Sequence, residues 1–342
     1  MLKRFAEPPL GRRGRSRTVR ARVAARIEAG QDNVVDRLSH VFPGSHAHVA
    51  GWPTKHWHSA IGDPKSSQAL CVSVWGTIAA HRNRTAIIAE VFAAAGLDVG
   101  VLAAPDVTCE AGADGGLAHL LNETGGNATP TCVDALIEWP KGAVCVESKL
   151  TEASFGGCSQ VLQRTDRPPG APGTTIALGK ACSGTYGPGS DLKTGSRAPC
   201  RLTTWDGSRA PRLYWSVAWE LFRPEVLVPD GRTCPFAGPS FQLMRNLALA
   251  RARAAPRSKR LSREQAPVVE HRRWGLLVAH AESHPNARRH RDELDAFCEL
   301  LLDDVRPRVA MVAYEQILPI LAAHGLQDLA LDVERRIALA LA

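Results

Sequence analysis

The chain has 342 residues, 44% of them apolar and 22% charged, which suffices for one generous core or one domain with extensions. No stretch approaches the roughly 20 consecutive apolar residues a bilayer-spanning helix needs, and the opening MLKRFAEPPLGRRGRSRTVR has no apolar h-region of a secretory signal, so a cytoplasmic protein is expected. The formal net charge of +8 is local: residues 1–26 hold nine basic side chains against one acid, Glu7, a surplus equal to the whole net charge.

In chain order, residues 1–30 read as a basic, flexible N-terminal arm, with residues 18–30 (TVRARVAARIEAG) able to form a basic helix ending at Gly30. Such an arm can neutralise phosphates, and it can equally be a solvated extension. Residues 31–342 read as a single α/β domain. Its first part is loop-like and carries His46, His48, His56 and His58, whose i, i+2 spacing suits a metal but is more simply incidental. SSQALCVSVWGTIAAH follows with helical spacing and Ser66 or Ser67 as its cap, then a second helix, RTAIIAEVFAAAG, ends at Gly96 and runs into a short apolar segment.

The clearest local feature comes next. TCVDALIEW (131–139) and AVCVESKLT (143–151) are β-rich runs joined by Pro140-Lys141-Gly142, the pattern of a hairpin. A Gly- and Pro-rich stretch at about 164–211 reads as a long irregular insertion containing cysteines. Beyond it RLYWSVAWELF and FQLMRNLALARARA look helical, WGLLVAHA (274–281) and RVAMVAY look like strands flanking the amphipathic ARRHRDELDAFCELLLDD, and two helices close the chain. Alternating strands and helices predict an α/β layering with a helical C-terminal part.

If Lys141 and Gly142 form the turn, Asp134 faces Lys149, Leu136 faces Glu147, and all three charged residues share one face of the hairpin. Asp134 and Glu147 would then be diagonal neighbours, roughly 7–8 Å apart. Two carboxylates so placed can hold a hard cation, and a lysine beside them can orient a water or stabilise a pentavalent phosphorus. Glu147-Ser148-Lys149 is the sequence's one Glu-x-Lys triplet; the Asp-x-Lys triplets at Asp63 and Asp191 lie in loop-rich sequence. The plainer alternative is an edge hairpin with a solvated, cross-paired charged face.

These residues resemble the PD-(D/E)xK nuclease superfamily, and VESKLTEASFGGCSQ, with SSQALCVSVWG upstream and PFAGPSFQLMRNLALA downstream, is similar to restriction-endonuclease-like bacterial proteins within it. The similarity spans about residues 60–320, with Val133 standing where the name-giving Pro would be. The resemblance implies a restriction-endonuclease-like core, a central mixed β-sheet flanked by helices, and a DNA endonuclease using Mg²⁺ or Mn²⁺ in restriction, defence or repair. It implies Asp134, Glu147 and the main-chain carbonyl of Ser148 as metal ligands and Lys149 as the catalytic lysine. Glu90 is the candidate for the helix carboxylate that members often add, and Gln160, on a segment read as helical, for a residue that touches substrate or orders the site. Many nucleases of this kind pair two cores to cut two strands, so the resemblance also allows a homodimer.

Nine cysteines, an odd number in a chain without a signal, argue against a disulfide framework. Cys158, Cys182, Cys200 and Cys234 bracket and populate the irregular stretch and could hold Zn²⁺ or a 4Fe–4S cluster, although no Cys-x-x-Cys pair anchors them. Simple burial is the alternative. Arg245, Asn246, Arg251 and Arg253, with Arg257, Lys259 and Arg260 beyond them, are expected either to reach a DNA backbone or to form a solvated helix face. Two rivals to the enzyme follow: a non-catalytic nucleic-acid-binding protein of the same fold, and a structural metal protein built on the four cysteines.

Overall fold

The computed structural model describes residues 37–53, 56–58, 61–63, 65–123, 130–158, 213–227, 234–254 and 273–341. The basic arm, the insertion at 164–211, Gln160, Cys182, Cys200 and the run from Arg257 to Arg260 lie outside the described residues. Five strands, β1 (Asp106–Ala111), β2 (Val133–Trp139), β3 (Gly142–Lys149), β4 (Arg273–His280) and β5 (Val309–Ala313), form one sheet in sequential order. The first three run antiparallel, and β3, β4 and β5 run parallel. A mixed sheet covered by helices on both faces is a restriction-endonuclease-like core.

The covering divides along the chain. A one-turn helix α1 (His46–Val49) precedes α2 (Ser67–Cys71), which passes through a π-helical turn (Val72–Gly76) into α3 (Thr77–Ala80), followed by α4 (Arg84–Ala94). Ser66 caps α2 by accepting Ala69 N at 3.2 Å. After the sheet come α8 (Tyr314–Ala323) and α9 (Gln327–Leu341). All of these pack on one face, where Trp75, Ile88, Phe92, Val144, Val146 and Tyr314 are fully buried. The parallel crossovers need long connections, and these supply the other layer: α5 (Tyr214–Ala218) and α6 (Ser240–Ala254) between β3 and β4, and α7 (Ala287–Cys298) between β4 and β5. β3 lies between both layers, so every one of its residues is buried, including Glu147, Ser148 and Lys149.

The hairpin register differs from the sequence expectation. Trp139 pairs with Gly142 and Ala135 with Val146, so the turn is Pro140-Lys141 and the pairing slides by two residues. Gly142 takes no positive φ. It is needed inside the strand, where an added Cβ would fall 2.2 Å from the Trp139 ring and 2.5 Å from the Arg273 carbonyl. Pro140, with its φ pre-set and no N–H to lose, suits the first turn position. Because side chains alternate with period two, a slip of two keeps every residue on its expected face.

β1 has no counterpart among the expected elements, because it lies just beyond the short apolar segment that follows the second helix. Its burial alternates, with Val107, Cys109 and Ala111 inward.

Candidate active site

The site forms where β2 and β3 end beneath α6. Carrying the hairpin register one residue beyond Ala135–Val146 sets Asp134 opposite Glu147, closer than the diagonal expected from sequence. Lys149 lies two residues on, on the same face, and its Nζ is 2.8 Å from Glu147 Oε1. Asp134, Glu147 and Lys149 are thus brought together as anticipated. Ser148 points to the opposite face, where its Oγ is 2.5 Å from the Tyr314 hydroxyl, and its amide donates to Asp134 Oδ2 at 2.6 Å.

Glu147 is 1% exposed, and each of its oxygens is held. Gln242 Nε2 donates to Oε1 at 2.6 Å and Asn246 Nδ2 donates to Oε2 at 2.7 Å. The i, i+4 spacing of Gln242 and Asn246 places both on the face of α6 that packs on the sheet. Asn246 is 2% exposed, which corrects the expectation that it serves a solvent-facing, DNA-directed helix surface. The arginines of α6 are also engaged: Arg253 with Glu138, Arg251 with Glu220, Arg245 with Thr131 and Glu123.

Asp134 differs from Glu147. It is only partly buried, and among the described residues its Oδ1 makes no hydrogen bond. Burial first, then the neighbouring carboxylates of Glu147 and Glu110, push its pKa well above the usual range, against the pull of Lys149 and the Ser148 amide. Glu110, on β1 between the pairs Cys109–Ala135 and Ala111–Val133, stands beside Asp134 in the ladder. Its φ of 50° is the left-handed conformation that a side-chain-bearing residue rarely takes. Burial raises its pKa too, opposed by hydrogen bonds from Gln68 and Cys132. Burial pulls Lys149 toward neutrality, but Glu147, Asp134 and Glu152 outweigh it and hold the ammonium charged.

The loop after β3 is tied down as well. Glu152 accepts the amides of Leu150 and Thr151 and the Ser67 hydroxyl. Lys149 and these donors outweigh burial and lower its pKa. Glu293 of α7 takes the Ser154 hydroxyl at 2.7 Å and the Phe155 amide at 3.0 Å.

The remaining sequence candidates fall elsewhere. Glu90 sits on the exposed side of α4, 2.9 Å from His324 Nε2, and makes no contact with the trio among the described residues. The further acid beside Asp134 is Glu110, carried by a strand and not a helix. Cys158 and Cys234 flank the undescribed stretch and are linked through Ala237, whose carbonyl accepts the Cys158 amide and whose amide donates to the Cys234 carbonyl. His46 and His48 bond to different backbone groups, the Val41 carbonyl and the Cys109 amide. Among the described residues no three His, Cys, Asp or Glu side chains are already spaced as a metal cage.

Glu110, Gln242 and Asn246 escaped the sequence reading as members of the site. The Val107/Cys109/Ala111 alternation was the available signal for β1; nothing local in FQLMRNL tells an inward Asn from an outward one.

A mixed, helix-covered sheet with carboxylates and a lysine at the end of its central hairpin defines a protein of the restriction-endonuclease-like class. The chain belongs to the family described as restriction endonuclease associating with ARP, whose model matches residues 40–336. No curated protein and no solved structure matches the chain. Among the described residues no helix is long and apolar enough to cross a membrane.

Proposed function

We propose that the chain is an endonuclease that hydrolyses DNA phosphodiester bonds with Mg²⁺ or Mn²⁺. The observation that carries this reading is the charge imbalance at the hairpin end. Among the described residues, Lys149 is the cation that acts on Asp134, Glu147 and Glu152, Glu110 adds a further acid beside Asp134, and Asp134 keeps an oxygen without a hydrogen bond. Glu147 and Glu110 raise the pKa of Asp134, as carboxylates short of a positive charge do. The donor set fits a hard divalent ion, which takes one or two carboxylates and completes its shell with water and phosphate oxygens rather than a full protein cage. Asp134, Glu147 and the Ser148 main-chain carbonyl would hold it. Bound there, such an ion lowers the pKa of a coordinated water and offsets charge on the phosphate.

The chain's own residues supply the rest. The Lys149 ammonium, kept charged and aimed by Glu147, has donors to orient the attacking water or to stabilise the phosphoryl oxygens as charge accumulates. Asp134, the most accessible of the trio, is where substrate and solvent enter. The family description suggests ARP as a protein partner, and a homodimer would supply two sites for two strands.

The test is cleavage of plasmid, linear duplex and single-stranded DNA with Mg²⁺ or Mn²⁺, with EDTA controls, by the wild-type chain and Asp134→Asn. Metal-dependent cutting that the folded variant lacks is the expected result. Equal cutting by both would sink the assignment. Salt-sensitive binding without turnover in every arm would favour the non-catalytic binding module.

The tie between Cys158 and Cys234 through Ala237 favours a second, separate proposal, a four-cysteine site completed by Cys182 and Cys200 and holding Zn²⁺ or a 4Fe–4S cluster. Elemental analysis of purified protein that finds neither zinc nor iron overturns it.

A further inference from the structure

Gln242 and Asn246 have no place in the chemistry above, yet between them they engage both oxygens of the most buried carboxylate of the site. Gln242 does more than donate. Its Oε1 accepts the Gly156 amide at 2.7 Å and faces Lys149 Nζ at 3.4 Å, while its backbone amide donates to the Gly156 carbonyl at 3.1 Å. One side-chain amide therefore touches the carboxylate, the lysine and the loop leaving β3. Asn246, 2% exposed, has its amide nitrogen on the other oxygen.

The chemical type of these donors matters. Lysine or arginine in either position would fix Glu147 equally well and would also cancel its charge. A carboxamide donates N–H while remaining neutral, so the carboxylate is oriented and the negative potential of the site is left intact. Both amides come from the same face of a 15-residue helix packed on β3 and β4, so the pair is carried by a rigid element rather than by a loop.

We infer that Gln242 and Asn246 are positioning residues that clamp Glu147 in the orientation required to ligate a divalent cation, with Gln242 also coupling that orientation to the loop at Gly156. The inference rests on the metal-dependent reading above and goes beyond it by assigning two residues on a different element. A partner that orients a metal-binding carboxylate typically contributes about 10- to 100-fold in metal affinity.

The experiment is Mn²⁺ binding measured by electron paramagnetic resonance and calorimetry, without DNA, on the wild type, Gln242→Ala, Gln242→Glu and Asn246→Asp, with thermal unfolding of each. Gln242 is only partly buried, so Gln242→Ala is expected to fold even if Gln242→Glu or Asn246→Asp, each setting a second carboxylate against Glu147, does not. The expected result is folded protein with Mn²⁺ affinity lowered about 10- to 100-fold, and Gln242→Glu no better than Gln242→Ala, since it keeps the shape but loses the donor. Cleavage at saturating Mn²⁺ should recover in Gln242→Ala, because the defect is in holding the ion. Wild-type affinity in the folded variants would overturn the clamp while leaving the nuclease reading standing. Failure of the wild type itself to bind Mn²⁺ would overturn both.

Discussion

The two ends of the β2–β3 hairpin treat acidic residues in opposite ways. Near the turn, Glu138 meets Arg253 of α6 one for one, both partly exposed, and the charge is settled locally. At the far end, Asp134, Glu147 and Glu152 gather around Lys149 and Glu110 stands beside Asp134, with Glu147 and Lys149 buried and the other acids partly so. Both ends lie on the same face under the same helix, so fold and burial alone do not explain the contrast. What differs is the stoichiometry of charge. A satisfied acid, such as Glu138 or the buried Glu123 with its bonds from Thr131, holds structure together. An unsatisfied group of acids costs stability, and such groups cluster at functional sites, which is why the metal-dependent reading is proposed here.

The largest test of this contrast is chemical. Lys149→Ala is expected to lower cleavage by about 10²–10³-fold, the usual loss when one stabilising donor is removed, and initial rates at saturating metal measure it. A stability effect follows. Mg²⁺ at about 100 times its dissociation constant should stabilise the wild type by about 2.7 kcal/mol, read as a rise in Tm, and Asp134→Asn should abolish that rise.

Without metal the same residue has the reverse effect. Asp134 and Glu110 have folded-state pKa values above their unfolded ones, so their contribution is full below the unfolded range and is lost as pH rises through the raised values. Stability in EDTA should therefore increase as pH falls from about 8 toward the carboxylate range, and Asp134→Asn should flatten that slope. Glu152, with its pKa lowered, works the other way: its contribution is present above the unfolded value and lost as pH falls through the folded one. A denaturation series with Glu152→Gln beside Asp134→Asn separates the two signs.

The smallest effects belong to the partnered acids. Glu138→Gln should cost at most about 1 kcal/mol in urea denaturation, because the pair it breaks is partly solvated. Glu90→Ala, at an exposed helix position paired with His324, should stay within about 0.5 kcal/mol and leave cleavage unchanged.

The contrast also shows what was readable in the sequence. The trio could be found because strand alternation survives a register error: the pairing slid by two residues, and Asp134, Glu147 and Lys149 stayed on one face. The slip itself came from reading Gly142 as a turn residue when its role is steric, beneath the Trp139 ring. Capping at Ser66, β4, β5 and the last two helices were local patterns, and the structure has them. Glu110 was not readable, because it belongs to a six-residue strand flanked by irregular chain and adopts a left-handed φ that no local pattern announces. Gln242 and Asn246 were hidden for a different reason. Which face of α6 turns inward is decided by β3 and β4, the latter 19 residues beyond the helix end, so an arginine-rich helix read alone looks like a solvent face.

That the acid-rich end of the hairpin does the chemistry and the acid-paired end does not is the proposal that stands or falls first. Its most direct test is plasmid cleavage with Mg²⁺ by Lys149→Ala and Glu138→Gln, side by side with the wild type. Wild-type cutting by Glu138→Gln and a rate about 10²–10³-fold lower for folded Lys149→Ala are expected. Cutting by Lys149→Ala at the wild-type rate would contradict the proposal.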